Sequence, residues 1–153
     1  MSKSLPRRIG TRKSASSLLC SLAARRPLSV LELTSMVLPP YAVLDALHRG
    51  QGSAEMLSTL ADYAVFSELL AFRGHVPDSL NGVQRAQRAL VEFTHRGAAT
   101  QWALPDATYA VLTGWLLRYV EQLEHAGLQG ILQAHAVLPA FVASRAGELK
   151  KAA

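Results

Sequence analysis

The chain has 153 residues, half of them hydrophobic and 18% charged, with a formal net charge of +5. That length supports one domain with a buried core, and a single cysteine, Cys20, excludes an intramolecular disulfide and gives no sign of an oxidising destination. The charge is partitioned: residues 1–26 carry Lys3, Arg7, Arg8, Arg12, Lys13, Arg25 and Arg26 and no acid, while the other nine cations face all 11 acids, so a segment of +7 precedes a body of −2.

Residues 1–27 read as a basic, mostly disordered tail ending at Pro27, ahead of a single helical domain over 28–153. A tail of this composition suits contact with nucleic acid or an acidic protein surface, because neutralising phosphate needs charge and reach rather than a fixed geometry. Its Arg-rich, Ser-rich and acid-poor character also matches an organellar leader, with a secretory signal ranked last because two arginines follow the short apolar stretch at once. Cys20 reads as a small apolar side chain.

From residue 28 on, the chain is punctuated for helices. A short helix over 28–37 is expected to stop at Pro39-Pro40, and Pro40 to open another that runs to His48. Ser53 is a good N-cap for a helix over 53–72, with Glu55 in its first turn, and the wide apolar content of that helix makes it the candidate central element. Pro77-Asp78 opens the next helix, in which Val83, Ala86, Leu90 and Phe93 share one face; Gln84, Arg85, Arg88, Glu92 and His95 lie outside it. Pro105-Asp106 opens another, with Tyr109, Leu112, Leu116, Tyr119 and Leu123 at helical spacing.

Gly50, Gly74, Gly97 and Gly127 each follow such a stretch and each has an adjacent His or Arg, the signature of a helix C-terminus. Helix ends thereby account for His48, His75, His95 and His125. After Gly127, a short helix over 128–138 is expected to break or kink at Pro139. No strand alternation or hairpin signal appears. The expected fold is all-α: an antiparallel helical bundle of three longer helices with short flanking helices.

Chemical motifs are missing. There is no HExxH, CxxC or GxSxG, and Gly50-Gln51-Gly52-Ser53 lacks the lysine of a phosphate loop. No metal site, cofactor, catalytic residue or small-molecule substrate is expected. No apolar run reaches the roughly 20 residues that span a bilayer, so no membrane span is expected and the body reads as soluble. Arg85 and Arg88, with Arg96, lie along one helix flank as candidates for a phosphate or acidic-partner contact; Glu55, Asp62 and Glu68 on the preceding helix could pair with that flank instead. Trp102 lies in an inter-helix loop, where it either plugs one end of the bundle or anchors a partner. Trp115 reads as core or dimer contact. The nearest approach to a helix-turn-helix is 116–126, Gly127 and 128–136, which offers only Gln129, Gln133 and His135 as polar readers.

The strings Ala46-Leu47-His48-Arg49-Gly50, Arg85-Ala86-Gln87-Arg88-Ala89-Leu90 and Trp102-Ala103-Leu104 resemble those of small helical proteins of proteobacterial plasmids and integrative elements, often labelled Fis-like transcription regulators. The resemblance covers residues 41–126 and implies a bacterial, cytoplasmic, mobile-element setting. Residues 128–153 do not reproduce the C-terminal helix-turn-helix of Fis itself. The sequence therefore points to a non-enzymatic accessory or regulatory protein that binds a macromolecular partner. The alternatives are a protein–protein module (a homodimer, or an inhibitor of another protein machine) using an apolar helix face and the Trp102 loop, and an organellar protein with a cleaved leader.

Overall fold

The computed structural model describes residues 25–97 and 102–152, with side chains as far as Gly147. The described residues form an all-α helical bundle without a strand. Four helices follow one another: α1 (Val30–His48), α2 (Ala54–Phe72), α3 (Leu80–Gly97) and α4 (Asp106–Ala152), with a 3-10 turn at Pro77–Ser79 ahead of α3.

A complete capping box starts α1. The Ser29 hydroxyl accepts from the Glu32 amide, and the Glu32 carboxylate accepts from the Ser29 amide at 2.8 Å. Arg26 adds two guanidinium hydrogen bonds to the same carboxylate, at 2.6 and 2.7 Å. From there α1 runs through Pro39 and Pro40, against the expected break between two short helices. The two prolines leave the Ser35 and Met36 carbonyls without their usual amide donors. The helix persists because apolar side chains on both sides of them, Leu33, Met36 and Val37 before, Val43, Leu44 and Leu47 after, are anchored in one core. Packing overrides local propensity here.

Both α1 and α2 end as their glycines predict. Gly50 has φ +73 and its amide bonds the Leu47 carbonyl, while the Gln51 amide reaches back to Ala46. Gly74 has φ +86, with the equivalent bonds from Gly74 to Ala71 and from His75 to Leu70. These are Schellman closures, which need a left-handed residue just past the helix. Ser53 caps α2 by accepting from the Met56 amide, as expected.

α2, the expected central element, packs against α1, α3 and α4, and α4 likewise packs against α1, α2 and α3, so the two share the central position. The expected inward face of α3, Val83, Ala86, Leu90 and Phe93, is buried, and so are Leu112, Leu116, Tyr119 and Leu123 of α4. Trp115 is a core residue. Gly127 breaks α4 with φ 60 and ψ −178, dividing it into a first arm (106–126) and a second arm (128–152). Pro139 does not stop the second arm, contrary to the sequence reading. Ile131 and Ala134 before it are buried, and Leu138 and Phe141 around it pack on the core, which again outweighs one missing backbone donor.

Candidate functional site

Of the basic candidates, Lys3, Arg7, Arg8, Arg12 and Lys13 lie outside the described residues, as does Cys20. Arg25 and Arg26 are described and exposed. Arg26 is already engaged with Glu32. Its hydrogen bonds, and those from Ser29, hold the Glu32 carboxyl far below the ordinary range, at about 2.

Arg85 and Arg88 project from the outer face of α3, and both are exposed. Across from them runs the first arm of α4. Arg85 shares a shallow cleft of about 390 Å³ with Gly82, Val111, Gly114 and Arg118, and an adjoining one with Arg88 and Glu92. The structure thus adds Arg118 to the basic flank. Two of these cations have local partners: Arg88 Nε donates to the Gln84 carbonyl at 3.4 Å, and Arg118 pairs with Glu121 at 2.6 Å.

Glu68 does not serve this flank, although the sequence offered it as a partner. It faces the opposite side of α3, only 1% exposed, at the base of an apolar groove of about 620 Å³. Gln87 Nε2 donates to its Oε2 at 3.0 Å. Arg145 Nη2, from the second arm of α4, stands 2.8 Å from its Oε1, although no N–H is aligned on that oxygen as a hydrogen bond. The carboxylate is therefore neutralised by a cation across the groove, which also closes α4 back onto α2 and α3. Leu57, Val65, Leu90, Val91 and Val142 wall the groove and Trp102 lies at its end. Trp102 is half-buried, edge-on to Phe93 with ring centres 6.4 Å apart, with its backbone at φ 59. Next to the loop, Gly52 leaves no room for a side chain: a Cβ there would sit 2.8 Å from the Trp102 carbonyl.

Behind Glu68 lies a fully buried polar network. Trp115 Nε1 donates to Ser67 Oγ at 3.1 Å, and Ser67 Oγ donates to Gln122 Oε1 at 2.5 Å. Gln122 Nε2 in turn donates to the Ser67 carbonyl at 3.0 Å and to Ser79 Oγ at 2.7 Å. One glutamine thereby ties α4 to α2 and to the 3-10 turn. Helical spacing does mark both residues. Glu68 continues the apolar spacing of Leu57, Ala61 and Ala64, and Gln122 that of Leu112, Trp115 and Tyr119. A polar residue in register with a core stripe is buried and must be paired.

The polar side chains of the segment closest to a helix-turn-helix are partly used inside the molecule. Gln133 accepts from Arg73 at 3.1 Å, and the His135 ring stacks on Phe66 at 4.4 Å. The histidines do more than close helices: His48 Nε2 is 3.0 Å from Asp106 Oδ1 and its ring stacks on Tyr109, while His75 and His125 meet through their Nδ1 atoms at 3.3 Å. Among the described residues, no three His, Cys, Asp or Glu side chains gather as metal ligands.

The surface of α1 is apolar to an unusual degree. Val30, Leu31 and Leu38 are 83%, 79% and 62% exposed. Exposed positions 30, 31, 34, 35, 38, 39 and 42 hold Val, Leu, Thr, Ser, Leu, Pro and Ala, and Asp45, on the same face with its side chain 48% exposed and paired with Arg49, brings charge only near the helix end. By length and composition alone, α1 and the Asp106–Gly147 stretch are apolar enough to cross a membrane, although neither is an uninterrupted apolar run. No family model matches the chain, and no curated protein or solved structure matches it significantly.

Proposed function

We propose that this protein is a non-enzymatic accessory or regulatory protein that docks on a macromolecular partner, with its basic N-terminal segment set against nucleic acid or an acidic protein surface. The observation that carries the reading is the outer face of α1 over residues 30–42, largely apolar and without a charge, directly following a segment of +7. An exposed helix face in a monomer ordinarily carries charge, and a contiguous apolar one marks an interaction surface. The basic segment supplies the long-range attraction and α1 the apolar contact. Arg85 and Arg88 extend the cationic surface onto the body, beside Arg118, which is paired with Glu121. The resemblance to plasmid and integrative-element proteins supports a bacterial cytoplasmic setting, and nucleic acid is the polyanion most abundant there.

The test is affinity for generic duplex DNA over a salt series, for the full chain and for a chain lacking residues 1–24. The slope of log K against log salt should flatten by about 0.9 for every phosphate that the shortened chain no longer neutralises. Equal affinity and equal slope for the two chains would remove the basic segment from the function.

A second reading, a protein–protein module, is favoured by the apolar groove at Glu68 with Trp102 at its end. Light scattering of the full chain, with and without Trp102→Ala, addresses it. A partner-free monomer in both would count against a homodimer.

A further inference from the structure

Beside the Gly127 break lies a polar depression of about 340 Å³, distinct from the α3 flank and from the apolar groove. Arg25, Arg26, His75, Gln129, Gly130 and Gln133 line it, together with Ala126, and among the described residues no carboxylate does. Three parts of the chain converge here: the residues before α1, the turn after α2 and the start of the second arm of α4. Arg73 reaches its rim through the hydrogen bond from Nη2 to Gln133 Oε1.

The side chains are held for this arrangement. His75 lies against Gly130, where a Cβ would come within 3.0 Å of Nε2 and 3.1 Å of Cε1, so only glycine lets the imidazole reach the floor. On its other side His75 Nδ1 meets His125 Nδ1 at 3.3 Å. A hydrogen bond there needs one ring to donate and the other to accept; with His125 Nδ1–H donating, the His75 proton sits on Nε2. The Arg26 carbonyl would stand 3.3 Å from a Cβ on Gly127, so the break is shaped to the chain that crosses it. Arg26 is committed to Glu32 and serves as wall rather than as charge. Arg25 and Arg73 provide the net charge. Partial burial first, then His125 and then Arg73, hold His75 below its ordinary pKa.

We propose that this depression binds a phosphate-type oxyanion, with Arg25 and Arg73 neutralising it and His75 and Gln129 donating hydrogen bonds. Guanidinium groups with amide and imidazole donors around a small carboxylate-free recess are the chemistry that recognises phosphate. The group could be a free phosphate monoester or a phosphate of a nucleic-acid backbone. Arg25 belongs to the basic segment of the function proposed above, but the shortened chain that tests that function keeps Arg25, Arg73 and His75, so the two readings can fail separately.

The experiment is an NMR titration of the full chain with inorganic phosphate at constant pH and ionic strength, following the ring resonances of His75 and His125. Saturable shifts of both rings are expected, reproduced by sulfate but not by chloride. Arg25→Gln and Arg73→Gln should each weaken the affinity about tenfold, the loss of one charge-assisted contact. His135, stacked on Phe66 away from the recess, should stay unmoved. A parallel arm uses a short single-stranded oligonucleotide without terminal phosphate. If it displaces phosphate from the His75 site, the ligand is a backbone phosphate; if it does not, the ligand is a monoester or free phosphate. Shifts no larger than those from chloride, or an affinity unchanged in both arginine variants, would overturn the proposal.

Discussion

Replacing Gln122 by leucine removes the hub of the buried network while keeping nearly the same volume. Three hydrogen bonds vanish, those with Ser67 Oγ, the Ser67 carbonyl and Ser79 Oγ. The Ser67 hydroxyl would still accept from Trp115 Nε1, yet its own proton would have lost its acceptor in a site closed to water. A buried donor left unpaired costs about 1–3 kcal/mol, and Ser79 Oγ loses its donor as well. Together these losses come to about 2–4 kcal/mol after the extra apolar burial of leucine is set against them. With a urea m value of about 2 kcal/mol/M for a chain of this size, the unfolding midpoint should fall by about 1–2 M at constant m. Ser67→Ala orphans Trp115 Nε1 and Gln122 Oε1 instead, and the double variant should be less destabilised than the two single effects summed. A midpoint shift under about 0.25 M for Gln122→Leu, or strict additivity in the cycle, would show that the network is not what joins α4 to α2.

Two further outcomes follow from the first helix. The Glu32 carboxyl is depressed to about 2 in the folded chain, so its contribution is full above the unfolded value near 4.5 and is lost as pH falls from there toward 2. Thermal unfolding of Glu32→Gln should therefore show a shallower loss of stability across that window than the parent, and parallel curves would refute the capping role. Pro39→Ala should stabilise α1, because Pro39 is exposed and sits in a helix interior where proline costs roughly 3 kcal/mol against alanine. Greater freedom of the unfolded chain offsets about 0.4–1 kcal/mol of that. Chemical denaturation should show a net gain, and a net loss would mean that the proline ring makes contacts the helix needs.

Much of the fold is legible in residue spacing. The Ser53 cap, the left-handed glycines at 50, 74 and 127, the Pro-Asp openings and the inward face of α3 all depend on interactions within a few residues, and they stand where the pattern puts them. What spacing misplaces is non-local. Pro39, Pro40 and Pro139 read as stops because the cost of proline is local, whereas the packing that offsets it comes from distant helices. Glu68 reads as a partner for the arginine flank for the same reason: helical period gives the face of a residue, but not which helix lies opposite. Its cation, Arg145, is 77 positions away, and the His75–His125 contact joins residues 50 apart.

By itself, then, the sequence determined an all-α body, its helix ends and a charge partition of +7 against −2. Only the tertiary structure decided that the outer face of α1 stays uncovered and that Gln122 holds three elements together. It also decided that a carboxylate-free recess forms at the Gly127 break. Caps and periods are written in short-range sterics and hydrogen bonds. Which surfaces meet, and which remain open, depends on how distant helices share a single core.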